Sequence, residues 1–123
     1  MEFAQHFQRL GLTGYQARAL SALFESPNIT ALQISERCQI PITKVYAVLD
    51  SLRDMGFVTE TLERPKRFFS NDFHQIIEFL VKRHENRIRA VKRQARRTLK
   101  AFETHEVPKP TQINPQGFEN PYK

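Results

Sequence analysis

The sequence predicts a mainly α-helical chain with one small β-hairpin: a winged helix-turn-helix followed by a long C-terminal helix with coiled-coil spacing. Three features carry that expectation. Two short helical stretches, 30–38 and 42–55, are joined by a tight connection. An alternating stretch with a basic turn follows at 57–69. From Asp72 nothing interrupts a helix until about Thr104. The expected organisation is a winged helix-turn-helix domain at 1–71, a long basic dimerisation helix at 72–105 and an extended Pro-rich tail at 106–123.

Taken in order, residues 1–10 place Phe3, Phe7 and Leu10 on one side of a short helix, and Gly11 ends it. Thr13-Gly-Tyr-Gln16 is a capping box, in which the threonine hydroxyl accepts from the third amide and the glutamine reaches back. Ala17, Leu20, Ala22, Leu23 and Phe24 supply the buried side of that helix, which must stop before Pro27. Thr30-Ala-Leu-Gln33 repeats the start signal, with Leu32, Ile34 and Cys38 as the apolar positions of a two-turn helix. Only Gln39 and Ile40 then precede Pro41.

The stretch 39–58 organises the rest. Val45, Val48, Leu49, Leu52 and Met55 form an apolar stripe at helical spacing, while Thr43, Lys44, Ala47, Asp50, Ser51 and Asp54 point elsewhere. Pro41 suits a helix start and Gly56 a helix end. The outward side is small and hydroxyl-bearing with one cation, which suits a helix entering a DNA major groove. After Gly56, Phe57, Val58, Thr59, Thr61 and Leu62 read as a strand, 63–66 as a turn, and Arg67, Phe68 and Phe69 as the returning strand. Arg64, Lys66 and Arg67 at the tip could touch a phosphate backbone or a minor groove.

Asp72-Phe-His-Gln75 opens the long helix, which at about 1.5 Å per residue would run roughly 45–50 Å. Ile77, Val81, His84, Ile88, Val91, Ala95, Thr98 and Phe102 recur at spacings of four and three, a coiled-coil seam. Such a seam seeks a partner helix. The simplest partner is the same helix of a second copy, giving a homodimer with two reading helices; the other is the chain's own first helix and its phenylalanines.

Charge is concentrated on this element. Of a net +6, residues 1–71 carry eight basic and seven acidic side chains, whereas 72–104 carry nine and four. Lys82, Arg83, Arg87, Arg89, Lys92, Arg93, Arg96, Arg97 and Lys100 face a single acid, Glu85, between residues 82 and 100. Like charges one turn apart, such as Arg89, Arg93 and Arg97, destabilise an isolated helix by a few tenths of a kcal/mol per pair. An anionic partner would offset that, DNA phosphate first and an acidic protein second.

The runs Leu10-Gly-Leu-Thr-Gly-Tyr-Gln-Ala-Arg-Ala-Leu, Ile34-Ser-Glu-Arg, Ile40-Pro-Ile-Thr-Lys-Val-Tyr-Ala-Val-Leu-Asp-Ser-Leu, Gly56-Phe-Val and Arg64-Pro-Lys-Arg-Phe resemble the DNA-binding domain of the TrmB family of archaeal transcriptional regulators. The similarity spans roughly residues 8–100. It implies a dimer with the helix 42–55 in the major groove, Thr43, Lys44 and Tyr46 near base edges or phosphates, and the wing 64–67 alongside. The large sugar-binding domain that many members carry after the long helix is not expected here, so carbohydrate sensing is not carried over. Family members often have a more acidic helix at this place; the basic one here would add a sequence-independent DNA contact or recruit an acidic protein.

Chemistry of other kinds has little support. His6, His74, His84, His105 and the single cysteine, Cys38, show no metal-ligand spacing, so neither a metal nor another cofactor is expected. No Gly-rich phosphate loop occurs, and Asp50 with Asp54 reads as a surface pair, so an enzyme is not expected. One cysteine fits a reducing compartment, and neither a signal peptide nor a membrane span is predicted, which places the chain in the cytoplasm, associated with the nucleoid. The candidate DNA contacts are Thr30, Pro41, Thr43, Lys44, Tyr46 and Ala47, the wing residues Arg64, Lys66 and Arg67, and Arg89, Arg93 and Arg97 of the long helix. The leading expectation is a dimeric, sequence-preferring regulator of transcription that binds double-stranded DNA. The alternatives are a winged-helix protein-interaction module of the transcription or chromatin apparatus, and an architectural DNA-binding protein without sequence preference.

Overall fold

A computed structural model describes residues 3–105 of the chain. The expected Pro-rich tail, with Phe118 and Tyr122, lies outside the described residues. The elements are α1 (Ala4–Arg9), α2 (Gly14–Glu25), β1 (Ile29–Thr30), α3 (Ala31–Cys38), α4 (Ile42–Asp54), β2 (Val58–Glu60), β3 (Arg67–Ser70) and α5 (Phe73–Thr104). This is the expected mainly helical winged helix-turn-helix with a long last helix, with one strand more than the sequence announced. The sheet order is β1-β3-β2, and β1 pairs antiparallel with β3 through Ile29 opposite Phe68. A two-residue strand carries no readable alternation; it exists because β3 offers it an edge.

Local signals set the helix starts. Thr13 Oγ1 accepts from the Gln16 amide at 3.2 Å while Gln16 Oε1 accepts from the Thr13 amide at 3.0 Å, and Thr30 with Gln33 repeats the arrangement. Asp72 Oδ1 accepts from the His74 and Gln75 amides at the head of α5. Gly11, at φ 106°, makes the turn after α1 in a conformation that disfavours a side chain.

Contacts divide the chain into Met1–Arg87 and Ile88–Lys123. The first unit has one core, with Phe7, Leu20, Leu23, Ile34, Ile40, Leu49, Leu52, Phe57, Ile76 and Leu80 fully enclosed. Ile76 and Leu80 show that the opening turns of α5 belong to it. Phe3, Phe7, Phe24 and Phe73 gather with ring centroids 5.2–6.4 Å apart, a cluster that ties α1 to α2 and to the start of α5. Leu32 departs from expectation, being 57% exposed. The buried stripe of α3 is Ala31, Ile34 and Cys38, and Leu32 sits about 100° away from Ala31 around that short helix. In the second unit, the described residues 88–104 are helical and exposed throughout.

Candidate nucleic-acid interface

The site is built on the turn between α3 and α4. Gln39 takes a left-handed conformation, φ 54°, a state that costs a non-glycine residue and is held here by its neighbours. Ile40 beside it is fully buried, and the Ser35 hydroxyl donates to the Ile40 carbonyl. Pro41 is the residue before α4, not its first turn; its carbonyl accepts from the Lys44 and Val45 amides, and it has no amide of its own to satisfy. The turn therefore fixes α4 against the core by its Val45, Leu49 and Leu52 side.

The other side of α4 is open. Pro41, Ile42, Thr43, Lys44, Tyr46, Ala47 and Asp50 are exposed, Tyr46 to 57% and Ile42 to 44%. Ser51, expected to point outward, is half-buried: its hydroxyl accepts from Gln16 Nε2 at 3.1 Å and donates to the Val48 carbonyl at 2.7 Å. Lys44 leans the same way, toward α2, with Nζ 5.8 Å from the centre of the Tyr15 ring. Arg18 also stacks on that ring, at 5.0 Å, and donates to the Cys38 carbonyl at 2.9 Å. Tyr15 and Arg18 were not among the candidates, because nothing local in the sequence brings α2 to the flank of α4.

Farther along α4, Arg53 sits between the two aspartates. It lies 3.3 Å from Asp50 and 3.8 Å from Asp54, and donates to Glu60 of β2 at 2.8 Å. The hydrogen bond to Glu60, reinforced by its charge, raises the Arg53 pKa, and the same bond holds the Glu60 carboxyl below the usual carboxylate range. Arg53 thus screens the aspartate pair and, through Glu60, fastens α4 to the wing.

Of the wing cations, Lys66 reaches Glu60 at 3.6 Å and Arg67 donates to the Asn28 carbonyl at 3.3 Å. Arg64 is exposed at the tip. Between wing and helices runs a groove of about 410 Å³ lined by Thr30, Leu32, Tyr46, Arg64, Pro65 and Lys66. Thr30 contributes to it while its hydroxyl serves the α3 cap. The exposed Leu32 and Tyr46 give the groove an apolar lining beside the cations Arg64 and Lys66.

Arg89, Arg93 and Arg97 are exposed along α5. The seam divides in two. Ile77 packs against the core, and His84 Nε2 lies 2.7 Å from the Leu10 carbonyl, so these two are engaged within the chain. Val81, Ile88, Val91 and Phe102 are 44–66% exposed, and Ala95 is exposed as well. Among the described residues no helix is long and apolar enough to cross a membrane.

Residues 7–73 match the model of the sugar-specific transcriptional regulator TrmB family. That is more than half of the chain and covers α2 through β3. The chain belongs to the TrmB family. Solved structures share the winged-helix fold of this TrmB-family chain. TrmBL2, an archaeal chromatin protein, is similar over 90% of this chain at 23% identity and a TM-score of 0.68. The chain spans only 47% of TrmBL2. A possible transcriptional regulator from Methanosarcina mazei matches over 72% of this chain and 80% of its own length, at 11% identity and a TM-score of 0.60. MepR, a transcription regulator of the Staphylococcus aureus multidrug efflux pump MepA, matches over 82% of both chains at 15% identity and a TM-score of 0.51. At these identities the likeness is one of fold. No curated protein matches the sequence.

Proposed function

We propose that this TrmB-family chain is a dimeric, sequence-preferring regulator that binds double-stranded DNA with α4 in the major groove and the wing on the backbone. The observation that carries the reading is the open face of α4, with Thr43, Tyr46 and Ala47 exposed, flanked by Lys44 on one side and Arg64 and Lys66 on the other. Small, hydroxyl-bearing and methyl-bearing groups between two cationic flanks suit base edges between two phosphate strands. The exposed stripe Ile88, Val91, Ala95, Thr98 and Phe102 supports pairing with a second copy, which would set two α4 helices at two half-sites. Arg89, Arg93 and Arg97 would add phosphate contacts without sequence preference. The organisation proposed is a reading domain at 1–71, a pairing helix at 72–105 and a tail.

One observation favours a second reading. TrmBL2 is an archaeal chromatin protein with a novel mode of DNA binding, and an architectural role here would use mainly the α5 cations. Selection of duplexes from a random pool separates the two. A defined site, lost on substituting Thr43 and Lys44 together, supports the first reading; tight binding with a small specificity ratio supports the second. DNA affinity untouched by those substitutions would overturn the major-groove role of α4.

A further inference from the structure

Resting on that reading, the geometry points to a specific determinant: α4 recognises thymine, through the C5-methyl groups that line the major groove of A·T-containing sites. With about 3.6 residues per turn, Thr43, Tyr46, Ala47 and Asp50 fall on the side of α4 away from Val45, Leu49 and Leu52, which are buried, whereas Ile42, seven residues before Leu49, lies at the edge of the buried side and is left open by its place at the helix start. Each base pair shows this face a distinct pattern, and each is read by its own kind of side chain. Guanine is read by a bidentate cation, adenine by a side-chain amide, cytosine by a carboxylate, and thymine by an apolar or methyl-bearing group.

The face lacks the distinctive partners of the first three, its hydroxyls being common to several bases. Its nearest cation, Lys44, lies on the flank and is drawn over Tyr15 of α2, at 5.8 Å, beside Arg18 on the same ring. That contact draws the ammonium toward α2 and away from the exposed face. The carboxylate, Asp50, is held by Arg53 at 3.3 Å, and Arg53 is itself engaged with Glu60. No asparagine or glutamine occurs between Ile42 and Asp54. What remains for the bases is the methyl-bearing Thr43 and Ala47 and the ring of Tyr46, left 57% exposed although it is large and apolar enough to be buried. Exposed apolar groups on a helix of this kind gain most where a groove offers methyl groups to cover them.

The test uses the full chain and duplexes selected from a random pool. Thymines of the selected duplex are replaced one at a time by deoxyuridine, which removes only the methyl group, and affinity is read by fluorescence anisotropy. The expected result is a loss of about fourfold at each contacted thymine, the factor that one buried methyl group supplies. Thr43→Ser, which removes a methyl group and keeps the hydroxyl, should abolish the uracil penalty at one position and leave it at the others. Lys44→Gln should lower affinity equally for thymine and uracil duplexes. A selected duplex bound equally well with every thymine replaced by deoxyuridine overturns the inference while leaving sequence-preferring binding intact. Absence of any selected duplex overturns both.

Discussion

Gln16 joins a local signal to a tertiary one, and its removal is expected to weaken the fold in two separable parts. Its Oε1 accepts from the Thr13 amide at 3.0 Å, closing the cap of α2, and its Nε2 donates to Ser51 of α4 at 3.1 Å. Gln16→Ala deletes both bonds. At about 0.5–1.5 kcal/mol each the loss is roughly 2 kcal/mol, with the half-buried bond to Ser51 the larger share. For a domain of this size that lowers Tm by roughly 8–15 °C. Gln16→Glu keeps an acceptor for the Thr13 amide and adds a negative charge near a helix N-terminus, but cannot donate to Ser51, so it should lose only about half as much. Urea unfolding followed by far-ultraviolet circular dichroism, at fixed chain concentration because dimer formation would make stability concentration-dependent, measures the difference. If Gln16→Ala lies within about 0.5 kcal/mol of the parent, the claim that this side chain fastens α4 to α2 is wrong. If the two variants are equally weakened, the cap contributes nothing.

Further outcomes follow from other parts of the molecule. Replacing Arg89, Arg93 and Arg97 together by Gln should reduce the slope of log affinity against log salt by about 2.7 if all three meet duplex phosphates; an unchanged slope removes α5 from the interface. Replacing Ile88 and Val91 by Ser should convert a dimer into a monomer in sedimentation experiments while circular dichroism still shows the winged domain; a parent that is monomeric at high concentration removes the pairing role of the stripe. Leu80→Ala should cost about 2–5 kcal/mol of stability, since Leu80 is fully buried where α5 enters the core. Glu60 has its pKa lowered by Arg53, so the pair's contribution is present at neutral pH and lost as the pH falls through the depressed value. The stability difference between the parent and Glu60→Gln should therefore shrink below about pH 4, and a difference that grows on acidification would contradict the pairing.

The sequence by itself determined what is decided within one or two turns of chain. The starts of α2, α3 and α5 were readable because Thr13 with Gln16, Thr30 with Gln33, and Asp72 with His74 and Gln75 complete their hydrogen bonds within three residues. The open face of α4 followed from the period of its buried one. Only the tertiary structure decided what faces what. Ile29 becomes a strand because Phe68 lies beside it, Ser51 turns inward because Gln16 offers a donor, and His84 is engaged by the Leu10 carbonyl, 74 residues away. Lys44 leans from α4 toward the ring of Tyr15, which no periodicity could foretell. Periodicity fixes which side of a helix is dry; the direction of a flanking side chain depends on a neighbour that the chain reaches only after it has folded.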